Sequence, residues 1–132
     1  MADKRIPELL KIPAVVRGLS CELLLGLVDL EMVLEDFQLL NLDLSRKPVF
    51  INWVIASGES GPKARPCDHE WIRSIRCQCQ AAGVPVFVKQ MGSNSCQSEC
   101  DGITRPRQYK HPKGGDPAEW QKDLQVRQFP TP

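Results

Sequence analysis

The chain has 132 residues, 42% of them apolar and 25% charged, with a formal net charge of +1. That length gives one domain with room for a core, and the charge balance gives no support to a polyanion-binding or membrane-surface role. No apolar run reaches the ~20 residues of a membrane span, and MADKRIPELLK lacks the apolar centre of a signal peptide, so the reading is a soluble, intracellular protein.

Residues 3–11 are predicted as a short helix, with Asp3 as N-cap, Pro7 in an early turn and Pro13 ending it. Ala14 to Ser20 follows as a strand, with Cys21 and Glu22 at its carboxyl end. Leu30, Val33, Leu34 and Phe37 fall on one helical face over residues 30–37, and the loop after them ends at Pro48. Val49 to Ala56 is an apolar run of strand length in which only Asn52 is strongly polar. Apolar residues on both parities predict a strand covered on both faces, the habit of a parallel sheet. The run gives way at Ser57 to a polar, glycine-bearing loop that reaches Cys67.

Asp68 is predicted to cap a helix from His69 to Ala82. Trp71, Ile72, Ile75, Cys79 and Ala82 lie on its inner side, Arg73, Arg76 and Gln80 face solvent, and Gly83 ends it. Val84 to Val88 is the third strand and ends in Lys89-Gln90. Ser93 to Gly115 is polar, with glycines and prolines, and is predicted mostly as loop. Asp116 caps a turn through Trp120 with Pro117 at its first position. Leu124 to Phe129 alternates as a terminal strand or extended arm.

Three strands parted by ~30-residue crossovers make an α/β domain with an open parallel β-α-β-α-β sheet, too short for a closed eight-stranded barrel. Residues 14–92 form this core and residues 93–132 a loop-rich extension, in one domain. Ligands in such sheets sit at the carboxyl ends of the strands, where Glu22, Glu59 and Lys89 are predicted to converge. Two carboxylates suit an amine or a ribose hydroxyl, and lysine suits a carboxylate or phosphate. The same three also suit ion pairs that seal the open top of the sheet. Gln90 belongs to this rim, as does the Gly58-Glu59-Ser60-Gly61 loop. That loop either turns its N–H groups to a ligand or is an ordinary tight turn; it lacks the spacing of a phosphate-binding Walker loop.

The six cysteines are read as free thiols in a reducing compartment. Cys77 and Cys79 sit two apart on a helix, and Cys96 and Cys100 have only His111 nearby, so no metal site is expected. His69 is read as a solvated first-turn residue, and no nucleophile–histidine constellation is legible. The basic run of residues 105–113 carries Arg105, Arg107 and Lys110. It reads as a contact for nucleic acid or an acidic partner, or as a solvated loop offset by Asp101, Asp116 and Glu119.

Four stretches carry a resemblance: SCE-x-LLG-x-VDL at 20–30, GESGPKARP at 58–66, VKQMG at 88–92 and KGGDPAEWQKDLQVRQFP at 113–130. Together they resemble a family of phage and prophage proteins of uncharacterised function with a radical-SAM-like barrel fold. The resemblance implies that the chain covers the C-terminal half or less of a full member. The cysteine motif that holds an iron–sulfur cluster in full members has no counterpart upstream of Ala14. Ser57, Leu23, Leu27, Cys67 and Met91 stand where members usually have Gly, Pro, Pro, Met, and Trp or Leu. The implied function is a phage or prophage accessory protein in the bacterial cytoplasm. It would bind another protein chain, or itself through exposed sheet edges, with a host defence complex as one target. The alternative is an enzyme fragment with S-adenosylmethionine or a nucleotide at the rim. Neither nucleic acid nor membrane is expected as a partner.

Overall fold

The computed structural model describes residues 2–31, 33–34 and 50–131. The predicted helix beyond Leu34, the loop to Pro48 and the first residue of the second predicted strand therefore lie outside the described residues. Helix α1 (Ala2–Leu10) starts one residue ahead of the expected cap Asp3 and buries Ile6 and Leu10. Strands β1 (Gly18–Glu22), β2 (Trp53–Ser57) and β3 (Cys67–Asp68) follow, then helix α2 (His69–Ala81). Strands β4 (Val86–Gln90), β5 (Ser95–Ser98) and β6 (Thr104–Arg107) and two 3₁₀ turns complete the order.

Strands β1, β2 and β4 form an open parallel sheet with β2 in the middle. Each begins two to four residues later than its apolar run. An apolar run marks burial, whereas strand bounds are set by where pairing starts. Ahead of β1 and β2 the Asn52 side chain accepts the Arg17 N–H at 2.9 Å, while the Asn52 amide donates to the Arg17 carbonyl at 2.8 Å. Glu22, Lys89 and Gln90 are consequently the ends of strands rather than residues just past them.

One face of this sheet carries Leu19, Cys21, Val54, Ala56, Val86 and Val88 and packs against Ile72, Ile75 and Cys79 of α2. The other face is only half covered, a correction to the expectation of two buried faces. Trp53, Ile55 and Phe87 are half-buried there, and Phe129 lies against both aromatic rings while 66% exposed.

Asp68 caps α2 as predicted, its carboxylate accepting the Glu70 N–H at 2.9 Å. Gly83 takes the left-handed φ of 68° that a helix end requires. Residues 93–115 depart from the loop expectation. Strand β5 pairs parallel with β3 and antiparallel with β6, giving a second three-stranded sheet at the start of α2. The strands SCQS and TRPR lack apolar alternation because the sheet is small and largely wet. Asp101-Gly102 at the hairpin turn, with Gly102 at φ 77°, was the available signal. Asp116 caps a 3₁₀ turn over Pro117–Glu119, as expected in kind. The last segment runs as an extended arm beside β4, although Leu124 closes a second 3₁₀ turn instead of opening a strand. The Val88 N–H donates to Val126 at 2.8 Å, and Gln128 donates to Val86 at 3.0 Å.

Candidate functional site

The carboxyl ends of the parallel strands bring some of the predicted rim together. Lys89 reaches across the middle strand and donates to Glu22 at 2.8 Å. Strands lie ~4.8 Å apart, so this contact spans two strand spacings and needs the full reach of lysine. Glu59 does not join them. Its carboxylate accepts the Arg65 amide at 3.0 Å and the Arg65 Nε at 2.7 Å. The Arg65 hydrogen bonds hold the Glu59 carboxyl below its ordinary value.

Gly58 is buried where two backbones cross. A Cβ placed on it would lie 2.2 Å from the Met91 carbonyl oxygen, so the position admits no side chain. Its amide donates to Gln90 at 3.1 Å, and the Gln90 side chain returns a bond to the Gly58 carbonyl at 3.0 Å. The Gly61 amide is held by Ser93 Oγ at 3.0 Å. Ser60 is exposed. The loop thus spends these groups on its neighbours. Strand β3 stands between it and α2 in the chain. An open cleft beside the loop is lined by Gly61, Pro62, Ser93, Asn94 and Lys113, not by Glu59 or Ser60.

The basic run is tied to carboxylates. Arg105 binds Glu99 at 2.8 Å and Asp101 at 2.7 Å; Arg107 binds Gln97 at 3.0 Å and reaches Glu99 at 3.5 Å. The backbone amides of Lys110 and His111 both donate to Glu119. Arg73, expected in solvent, is half-buried instead, bound to Glu70, to Gln121 and to Asp123 at 2.5 Å.

His69 is the largest departure at a single residue. It is 1% exposed, with Nε2 3.0 Å from the Tyr109 hydroxyl and Nδ1 buried without a partner. Burial, then the Arg73 charge, lowers its pKa to about 4, so the ring is neutral. Beside it, burial opposes charge on Asp68. Bonds from the Ser98 hydroxyl and the Glu70 and Ser98 amides outweigh that and hold its carboxyl below the ordinary value. The signal for His69 was present: it stands three residues before Ile72 on the buried stripe of α2.

None of the six thiols is bonded to another. Burial pushes Cys67 and Cys79 up to about 12, which keeps both protonated and poor as metal ligands. Among the described residues no group of three His, Cys, Asp or Glu side chains is placed to hold a metal ion. No helix among the described residues is long and apolar enough to cross a membrane.

The two outer edges of the parallel sheet differ. The β4 edge is covered by the chain's own arm at Val126–Gln128. Beside β1, the described residues supply no pairing partner. The Val54 N–H donates to Pro85, which turns the even residues of β2 toward β4 and the odd ones toward β1. Through the register Leu19↔Val54 and Cys21↔Ala56, the odd residues of β1 bond to β2. The N–H and C=O groups of Gly18, Ser20 and Glu22 are left on the outer edge. Val15, Leu23, Leu25 and Leu27 are exposed on the segments either side of this strand.

The model of the family described as "Protein of unknown function (DUF5131)" matches residues 1–125, and the chain belongs to that family. No curated protein matches the chain, and no solved structure does.

Proposed function

We propose that this family member is a protein-binding module that accepts a strand of another chain on the outer edge of β1. The carrying observation is that edge itself: three residues direct their backbone groups outward, with exposed apolar side chains before and after them. Strand addition draws its affinity from such backbone groups and its selectivity from the flanking side chains. The rim supports this reading over the enzyme-fragment one. Glu22 and Lys89 neutralise each other, and Glu59 is engaged by Arg65. S-adenosylmethionine is accordingly expected to bind at millimolar strength or not at all in a calorimetric titration.

The resemblance to phage and prophage proteins supports an accessory role in the cytoplasm of a bacterial host, with a defence complex as the partner class. The test is capture from host lysate by the wild-type chain and by Ser20→Pro. Proline there removes an outward N–H and leaves the β1–β2 ladder intact. A protein held by the wild type and lost with Ser20→Pro supports the proposal. Identical capture by both contradicts it.

A further inference from the structure

We infer that the cleft between the end of α2 and the start of β4 is a binding site for a small aliphatic carboxylate. It lies at the opposite edge of the parallel sheet from β1, and does not depend on the protein-binding reading above. The observation behind it is Arg76. This side chain is half-buried, yet among the described residues its guanidinium meets no hydrogen-bond acceptor and no carboxylate within ion-pair distance. Arg17, Arg65, Arg73, Arg105, Arg107 and Arg127 are all engaged. Asp123 feels the Arg76 charge but is held by Arg73 at 2.5 Å. A guanidinium partly shielded from water with its donors unused is an open place for an anion, and its planar fork suits a carboxylate.

The cleft has a volume of about 350 Å³, near the small end of the range for ligand cavities. Much of its wall is apolar: Val84 and Val86 come from the approach to β4 and its start, Val126 from the arm and Cys79 from α2. Burial holds the Cys79 thiol protonated, so no thiolate repels an anion there. None of the residues lining the cleft is acidic. Gln80 follows Arg76 by one helical turn and is exposed beside it. Gln128 is oriented by its own bond. Its Oε1 accepts the Val86 N–H at 3.1 Å, which leaves the side-chain NH2 group as the donor available to a ligand. These donors together with three valines fit an amphipathic occupant, a carboxylate head on Arg76 and a short branched tail among the valines. Inorganic phosphate would use the donors but leave the valines wet.

The experiment is a titration of the full chain with isovalerate, followed by heteronuclear NMR. Acetate is the probe that lacks the tail, and isovaleramide the probe that lacks the charge. Isovalerate is expected to move the amide signals of Val84, Val126 and Gln128 along saturating curves, with those of Gly18 to Glu22 unmoved. Acetate and isovaleramide are each expected to bind more weakly by about tenfold or more. Arg76→Gln is expected to lose affinity by a similar factor, and Arg76→Lys, which keeps the charge without the fork, to fall between. Gln80→Glu puts a carboxylate one turn beyond Arg76 and is expected to abolish binding by occupying the guanidinium. Circular dichroism shows that each variant is folded; Gln80→Glu, at an exposed helix position, keeps the test open if Arg76→Gln does not fold. Shifts that grow linearly without saturating, isovaleramide or acetate binding as tightly as isovalerate, or wild-type affinity in Arg76→Gln or Gln80→Glu overturns the inference.

Discussion

His69 sits shut away from water at the start of α2, with Tyr109 on one ring nitrogen and nothing on the other. Burial first, with Arg73 and Arg107 adding to it, and Asp68 and Asp123 opposing, brings its pKa to about 4 from 6.5. An unfolded chain takes up a proton at this site as pH falls below 6.5, whereas the folded chain refuses it until about 4. Stability is therefore complete above the upper value and drops by about 3 kcal/mol toward the lower one. Urea denaturation between neutral and mildly acid pH is expected to show this loss, and His69→Gln is expected to flatten it. Gly58 gives a second residue-scale prediction. Alanine must push its Cβ into the Met91 carbonyl, so Gly58→Ala is expected to lose about 1–3 kcal/mol in the same measurement. The sequence marked the Gly58 loop as ligand-facing or as a tight turn, whereas the close approach of the Met91 carbonyl to Gly58 was not legible in it. A glycine motif shows that a side chain is unwanted, not whether a ligand or another stretch of backbone lies there. Glu59 is similar: its position at a strand end was legible, whereas its bond to Arg65 depends on how the loop folds back.

At the scale of elements, α2 was the most legible part of the chain. A capping aspartate, a buried stripe and a closing glycine all agree, and the structure uses each. Asp68 also joins α2 to the second sheet through Ser98, so its replacement removes two supports together. Asp68→Ala is expected to cost about 2 kcal/mol and Asp68→Asn less, because asparagine retains the cap; denaturant midpoints check both. The β5–β6 hairpin was not legible. Its strands are short and polar, and their order comes from pairing with β3 and from the arginine–carboxylate contacts of Arg105 and Arg107. The arm beside β4 was half legible: alternation announced an extended segment but not the edge it covers. Arg127 anchors that arm, lying 5.4 Å from the Phe87 ring centre and 5.3 Å from that of Trp120. Arg127→Ala is expected to speed amide exchange at Val88 and Gln128 while leaving Leu19 and Cys21 slow.

For the whole molecule, the open parallel sheet and its strand direction follow from apolar runs separated by crossovers, and the structure has them. What a sequence does not announce is which of two edges the chain covers for itself. Here the arm closes the β4 side, and among the described residues nothing pairs with the outer edge of β1, where the proposed partner strand would add. Residue-level amide hydrogen exchange on the dilute monomer tests this most directly. Leu19 and Cys21 are expected to exchange slowly through their bonds to β2, with Ser20 and Glu22 exchanging rapidly. Slow exchange at Ser20 equal to that at Leu19 in the monomer would mean that the edge is already paired, and would contradict the account.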